Sequence, residues 1–417
     1  MRIEAAQFAG PCPCGRDHSL ETLLCVIEPG ALARLEQSMT EIHISGKRCA
    51  VYDENTYRVI DPTLHPRAEQ EILLPGRGLH ADEYSTAAFL AELREDTDIL
   101  IAIGGGPLHD IVRFCAKKLG IPFVSVPTAA SCDGFSAEVA AMTWGGIKKT
   151  MSCQAPVLVV ADTDILKAAP GHLLLSGIGD VLGKFIALAE WRIAHALTGE
   201  AFCPVIHDRM KDAVDRIWKN CIPAANGDSD ALADVTAGLM LSGIAMQLFG
   251  NSRPASGAEH HISHLIEMEP EGLPARNLAS HGEKVGVGTI LASREYHRLA
   301  QIEDIAPYLL PYEPIDQEKL RVFMGERLYP SVREEHKNDA LAPVTPEAVI
   351  AAWPEMRKII SSIPKPEEIE ERLAAIGAKR SLSDIGIDPA LEPLLLDTCP
   401  LGRNRLTLMR LRRIIRH

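Results

Sequence analysis

The run Asp98-Ile-Leu-Ile-Ala-Ile-Gly104-Gly105-Gly106-Pro107-Leu108-His109-Asp110 constrains the fold more than any other stretch of this chain. Five of the six residues from Asp98 to Ile103 are apolar, and four of those five are Leu or Ile. A short run that is apolar on both faces and ends on glycine fits the centre of a parallel sheet, because a half-solvated strand alternates apolar with polar residues. From Leu108 to Lys118 the spacing turns helical, with Ile111, Phe114 and Cys115 on one side. Gly104, Gly105 and Gly106 therefore sit at a strand-to-helix turn. Backbone N–H groups and the positive end of a helix dipole can hold a pyrophosphate at such a turn, and a side chain would obstruct its approach. Glycine triplets also make plain tight connections, so the rest of the chain has to carry the reading.

The flanking segments repeat the same alternation. Leu20 to Val26 reads as a strand and Gly30 to Gln37 as a short helix. Arg48 to Asp53 is a strand ending in an acid, followed by Asn55 and Thr56 as helix N-cap candidates. A carboxylate at Asp53 can accept hydrogen bonds from an adenosine ribose, or cap the helix that follows. Ile72 to Gly76, Ile121 to Pro127 and Pro156 to Asp162 are further strands, and Ser85 to Arg94 is a helix. Glu138 to Trp144 and Ile147 to Cys153 flank Gly145-Gly146, which suits a two-residue hairpin turn. Beyond about Ala168 strand-like runs give way to helical periodicity. The long segments are Leu173 to Leu197, Pro204 to Asn220, Asp228 to Leu248, His260 to Met268 and Gly282 to Tyr296. Four more follow at Leu320 to Leu328, Pro346 to Ile360, Glu367 to Ile376 and Pro389 to Leu396. The expectation is α/β plus all-α: a Rossmann-like parallel-sheet domain with a β-hairpin over 1–168, then a helical domain over 169–417.

Composition limits the partners. A formal charge of −13 in 417 residues disfavours nucleic acid and anionic membrane, both of which need a basic face. A phosphorylated small molecule needs only a local basic pocket. No apolar stretch reads as a membrane span and the first residues lack the apolar core of a signal peptide, so the expected location is the cytoplasm. The ten cysteines have no repeating spacing and mostly read as small buried residues of a reducing compartment. Cys12-Pro-Cys14-Gly-Arg-Asp-His18 could bind a metal ion. It lacks a second Cys/His pair at zinc-finger distance, which favours a structural or incidental role. Six arginines in Arg403–His417 read most simply as a solvated terminal helix, with an anionic contact as the alternative.

Three segments carry metal-ligand residue types in unusual settings. Ser176-Gly-Ile-Gly-Asp180-Val-Leu-Gly-Lys184 places an acid in an apolar, glycine-rich helical stretch, where burial is costly unless the carboxylate is paired or bound to a cation. Ser256-Gly-Ala-Glu-His260-His-Ile-Ser-His264 puts His260 and His264 one turn apart on one helical face. His281 opens a helix that glycines allow to pack closely. One Asp and two His supply three protein ligands and leave open positions on a borderline metal such as zinc.

In order, Gly104-Gly-Gly-Pro-Leu-His-Asp110, Pro127-Thr-Ala-Ala-Ser-Cys-Asp133-Gly, the Asp180 segment, Ser252-Arg-Pro-Ala-Ser-Gly-Ala-Glu-His260 and His281-Gly-Glu-Lys resemble the motif series of the iron-containing alcohol dehydrogenase superfamily. The wording of the second and fourth is most similar to the sn-glycerol-1-phosphate dehydrogenases, and both Cys12-Pro-Cys-Gly-Arg-Asp-His18 and Arg403-Asn-Arg-Leu-Thr resemble their bacterial branch. The resemblance implies an NAD- or NADP-binding domain, a helical domain carrying one divalent metal ion and an active site in the cleft between them. It implies Asp180, His260 and His281 as metal ligands, and His264 as a cleft-facing histidine that helps proton transfer. It places Gly104, Gly105 and Gly106 at the pyrophosphate, Thr128 and Ser131 beside the nicotinamide, and Asp133 at the substrate or nicotinamide side. Asp110 either contributes to cofactor binding or braces the turn. Pro107 and His109 stand where the family often has smaller polar residues.

The implied reaction is reversible reduction of dihydroxyacetone phosphate, a phosphorylated triose, to sn-glycerol 1-phosphate, a step of phospholipid metabolism. Within the superfamily, a glycerol or polyol dehydrogenase is the first alternative; Lys149, Lys184 and Arg253 are candidate phosphate contacts that would separate the two. The related 3-dehydroquinate synthases have glutamate as first ligand, so Asp180 favours a dehydrogenase. A catalytically silent nucleotide-binding relative is the remaining reading. Zinc, nickel and iron all suit an Asp-His-His set. NAD against NADP and the oligomeric state, a homo-oligomer included, stay open.

Overall fold

The computed structural model describes residues 1–4, 7–145, 147–275 and 279–416. Two compact units emerge, one of Met1–Val181 with Asp212–Asn251 and one of Leu182–Lys211 with Ser252–His417.

The first unit is built on a seven-stranded sheet. Its strands are β1 (Arg2–Glu4), β2 (Leu24–Glu28), β3 (Arg48–Asp53), β4 (Gln70–Leu74), β5 (Ile99–Gly104), β6 (Phe123–Pro127) and, after a hairpin of β7 (Val139–Trp144) and β8 (Ile147–Ser152), β9 (Leu158–Asp162). They lie in the order β1-β2-β9-β6-β5-β3-β4, parallel throughout except for β1. All six residues of β5 are buried. Pleating sends Leu100 and Ala102 into one apolar cluster and Ile99, Ile101 and Ile103 into the other, so an unbroken apolar run serves both faces. Helices α1 (Leu35–Glu41), α2 (Glu54–Val59), α3 (Glu83–Glu92) and α4 (Gly106–Leu119) connect the strands, and α5 (Thr163–Ala168) follows β9. From β3 the chain moves outward to β4, and from β5 it moves the opposite way to β6. The connections therefore diverge at the carboxyl ends of β3 and β5, the place where open α/β sheets bind ligands. Trp144 pairs with Ile147 across the hairpin; Gly146 of the expected Gly145-Gly146 turn lies outside the described residues.

Helices α6 (Gly171–Leu182), α7 (Lys184–Thr198), α8 (Pro204–Ala225) and α9 (Ser229–Phe249) follow. The stretch expected as one helix from Leu173 to Leu197 is thus two, parted at Gly183. Where the sequence sets a single boundary at 168, the compact grouping carries α6 as far as Val181 and returns for 212–251. Intimate packing accounts for this. A Cβ on Gly243 of α9 would lie 2.2 Å from Ser136 Oγ, which itself donates to the Met240 carbonyl at 2.8 Å. By length and composition two stretches, Gly171–Thr198 and Ser229–Phe249, could cross a membrane, contrary to the expectation that none would. Their most apolar windows are 78% and 83% buried within the protein, which marks them as core helices.

The second unit is helical. It contains α10 (Ala258–Met268), α11 (His281–Ala300), α12 (Gln317–Glu335), α13 (Pro346–Ile360), α14 (Pro366–Ala375), α15 (Glu392–Thr398) and α16 (Leu408–Leu411). Gly325 breaks α12 with a φ of 73°. The arginine-rich end is not a solvated helix. Only Leu408–Leu411 is α-helical, and Leu406 to Leu411 are buried. Arg410 and Arg413 both reach Asp339 at 2.6 Å, a pairing that lets buried guanidinium groups lie inside the unit.

One approach bears directly on the site. A Cβ on Gly177 of α6 would fall 2.0 Å from the Ala130 carbonyl oxygen, on the loop that follows β6. Gly177→Ala is expected to destabilise the protein by about 1–3 kcal/mol, measured by denaturant unfolding, and an unchanged transition midpoint would contradict this packing.

Candidate active site

The nucleotide end forms at the carboxyl ends of β3, β5 and β6. Gly105 caps α4 in an extended conformation and offers no side chain to the first turn. None of Gly104, Gly105 and Gly106 has a positive φ, so the backbone alone does not require glycine there. What glycine supplies is space: a Cβ on Gly105 would meet no atom within 4 Å, whereas one on Gly104 would lie 3.1 Å from Asp53 Oδ2. The open surface beside a helix N-terminus fits a pyrophosphate. His109 turns away from that surface. It is buried, its Nδ1 bonds the Gly105 carbonyl at 3.0 Å, and its ring stands edge-on to Phe135 at 4.9 Å. Burial pulls its pKa down to about 3, so the ring is a neutral brace beneath the turn. Asp110 braces it from the side, accepting from Arg113 Nη1 at 3.0 Å and from the Ala141 N–H at 3.2 Å. Asp53, instead of Asn55 or Thr56, caps α2: its Oδ1 accepts from the N–H groups of Asn55 and Thr56 at 2.9 and 3.0 Å.

The loop after β6 links this end to α6. Thr128 N–H donates to the Gly104 carbonyl at 3.2 Å, and the Ser131 carbonyl accepts from Ser176 Oγ at 3.1 Å. Asp133 N–H donates to Asp180 Oδ2 at 3.1 Å, while Asp133 Oδ2 accepts from Ser242 Oγ at 2.7 Å. Asp180 is fully buried, and this loop orients its carboxylate. Burial, then the Asp180 charge, push the neighbouring Cys132 thiol up to about 12, which leaves it protonated.

In the helical unit α10 carries His260, His264 and Glu267 at i, i+4 and i+7, one face of the helix. His281 is the first residue of α11, whose N-terminus Ser280 and Glu283 close with a capping box. The three imidazoles converge, with ring centroids 5.3 Å apart for His260 and His281, 5.5 Å for His264 and His281, and 5.8 Å for His260 and His264. Each of the two candidate ligands is held by a carboxylate: His260 Nδ1 by Glu259 at 2.7 Å and His281 Nδ1 by Glu267 at 2.9 Å. An Nδ1–H donated to a carboxylate places the lone pair on Nε2 and raises its basicity, the arrangement found around metal-ligating histidines. Burial alone would raise the Glu267 carboxyl, but His281, Lys284 and His264 hold it well below the usual carboxylate range, so it stays an anion. Glu259 Oε1 also accepts from the Gly257 N–H at 2.8 Å. Burial lowers His264 well below its ordinary pKa and keeps it neutral.

Glu259, Glu267 and Ser242 are absent from the residues singled out in sequence. The signal for Glu267 is its place one turn beyond His264 on the same face; Ser242 carries none. Of the candidate phosphate contacts, Lys149 is exposed on β8, Lys184 is buried in α7, and Arg253 is engaged by Glu200 and the Leu406 carbonyl.

Residues 26–170 match the model of the iron-containing alcohol dehydrogenase family. A glycerol-1-phosphate dehydrogenase (NAD(P)+) from Geobacillus stearothermophilus is 32% identical over 97% of this chain and 96% of its own length. The chain belongs to the glycerol-1-phosphate dehydrogenase family. Its fold is shared with a probable glycerol dehydrogenase from Sinorhizobium meliloti 1021, with TM-score 0.59, 16% identity and coverage of 94% of this chain and 91% of that one. It is shared too with a sulfoacetaldehyde reductase from Bifidobacterium kashiwanohense in complex with NAD+, with TM-score 0.58, 14% identity and coverage of 93% and 92%. A nicotinamide cofactor and a metal ion are consistent with membership of this family.

Glu267→Gln removes the anion that fixes His281. Metal affinity is expected to fall about 10–100-fold, read by competition with a chelating dye; an unchanged affinity would take His281 out of the ligand set.

Proposed function

We propose that this chain is an oxidoreductase that reversibly reduces dihydroxyacetone phosphate to sn-glycerol 1-phosphate with NADH or NADPH. The observation that carries the reading is similarity over 97% of the chain to a glycerol-1-phosphate dehydrogenase, together with a carboxylate-anchored histidine face on α10 and α11.

Asp180, His260 and His281 would hold one divalent ion, and their oxygen and two imidazole donors suit zinc, nickel or iron. When bound, such an ion supplies Lewis-acid polarisation of the substrate ketone. The N–H groups around Gly104, Gly105 and Gly106 would take the pyrophosphate, with Asp53 at the adenosine ribose and Asp110 bracing the turn. An Asp53 carboxylate at the ribose would favour NAD, because it repels a 2′-phosphate. Thr128 and Ser131 would line the nicotinamide ring, and the chemistry the cofactor would supply when bound is hydride transfer. Asp133 orients Asp180 and would meet the substrate side. His264, kept neutral by burial, would relay a proton to the developing alkoxide through its ring. The sheet-bearing part of the chain would thus serve the dinucleotide and supply Asp133 and Asp180, and the helical part would supply the histidines, in the cytoplasm.

The test is a spectrophotometric assay of the metal-loaded protein with dihydroxyacetone phosphate and with dihydroxyacetone, using NADH and NADPH in turn. A site built to pair a phosphate leaves polar groups unsatisfied without it, so kcat/KM should favour the phosphorylated ketone by about 10²-fold or more. Equal turnover of both would instead indicate a polyol dehydrogenase.

A further inference from the structure

The N-terminal arm carries a second cluster of metal-ligand side chains, which the reaction above does not use. Gly10–Pro11 and Asp17–His18 pair as a small antiparallel ribbon, Gly10 opposite His18. The turn between them is closed by Cys12 N–H to the Arg16 carbonyl and Gly15 N–H to the Cys12 carbonyl, both 2.9 Å, and Gly15 takes a φ of 82°. This brings the donor atoms of Cys12, Cys14 and His18 within 4.8 Å of one another. Cys14 Sγ and His18 Nε2 are 3.4 Å apart. Bond lengths of about 2.3 Å for Zn–S and 2.0 Å for Zn–N make a tetrahedral S···N edge about 3.5 Å, so the observed separation is already that of a coordination edge.

His18 supplies an independent observation. It is 5% exposed, and its Nδ1 bonds the Leu248 carbonyl, at the end of α9, at 2.8 Å. That bond puts the proton on Nδ1 and the lone pair on Nε2, the atom facing the thiols. The backbone carbonyl does here what Glu259 and Glu267 do for His260 and His281. Arg16 strengthens the attachment, donating to the Phe249 carbonyl at 3.1 Å and lying 4.6 Å over the Phe249 ring.

We propose that Cys12, Cys14 and His18 bind a borderline-soft divalent cation of the zinc class, distinct from the ion of the reaction, which pins the N-terminal arm to the end of α9. Two thiolates and one imidazole select zinc over magnesium or calcium, and they leave a fourth tetrahedral position for water or a further donor. Binding deprotonates the two thiols and releases their protons to solvent.

The experiment uses the full chain produced in cobalt-supplemented minimal medium, because cobalt(II) substitutes for zinc and absorbs in the near ultraviolet only when thiolate is bound. The wild-type chain and His281→Ala should both show thiolate-to-cobalt charge transfer, and Cys12→Ser with Cys14→Ser should lose it together with one metal equivalent per chain. His18→Cys, a conservative ligand exchange, should keep it. A wild-type chain without the thiolate band overturns the proposal and leaves Cys14 and His18 as a hydrogen-bonded pair, whether or not the serine variants fold. Retention of the band in the double serine variant overturns it equally.

Discussion

Two carboxylates decide which nitrogen His260 and His281 present. A free imidazole exchanges its proton between Nδ1 and Nε2, and in a cluster of three it could equally protonate and repel its neighbours. Glu259 and Glu267 remove that freedom, binding Nδ1 of His260 and His281. The rest of the unit is arranged to keep those carboxylates in place. Gly257 contributes its N–H to Glu259, and a Cβ at that glycine would strike both Glu259 Oε2 at 2.8 Å and Glu190 Oε2 at 2.9 Å. Glu190 is buried, and its carboxyl is pushed up to about 8, first by burial and then by the Glu259 charge. Tyr296, Ala258 and Leu408 all donate to it. That upward shift favours the protonated form of Glu190, so the hydrogen-bonded network behind the histidines limits the charge it buries.

In the sheet-bearing unit the equivalent constraint is room. Gly105 leaves the first turn of α4 bare, while Gly177 and Gly243 let helices touch backbone and side chain at distances no Cβ would tolerate. These approaches hold the loop after β6 so that Asp133 reaches Asp180. Local rigidity here serves orientation, since a carboxylate meant for a cation is useful only if its oxygens are fixed in advance.

Much of this was legible from residue order, and the exceptions share a cause. β5 and the glycine turn follow from a run of Ile and Leu ending on glycine, and β3 starts and ends where its pattern predicts. His260, His264 and His281 come together because helical spacing and a helix start are local properties. Asp53 caps α2, one of the two roles its place at the strand end suggests, while Asn55 and Thr56 lie a residue or two further on, where competing caps differ little in energy; the break at Gly183 falls inside an apolar stretch whose periodicity runs on past it. The arginines after Arg403 were misread for a larger reason. Arg410 and Arg413 meet Asp339, about seventy residues earlier, and no periodicity announces a long-range ion pair. Glu267 was overlooked likewise, because a glutamate on a helix ordinarily faces solvent and only the position of His281 gives it a different task.

We propose that Nε2 of His260 and Nε2 of His281 ligate the ion of the reaction, each backed by its own carboxylate. Anomalous X-ray diffraction from metal-loaded crystals, recorded on both sides of the metal's absorption edge, tests it most directly. A peak is expected within bonding distance, about 2.0–2.1 Å for zinc, of both Nε2 atoms, with Glu259 and Glu267 still on Nδ1. A peak lying among His264, Glu267 and His281 instead, a further group whose donors lie within 4.8 Å of one another among the described residues, would contradict it.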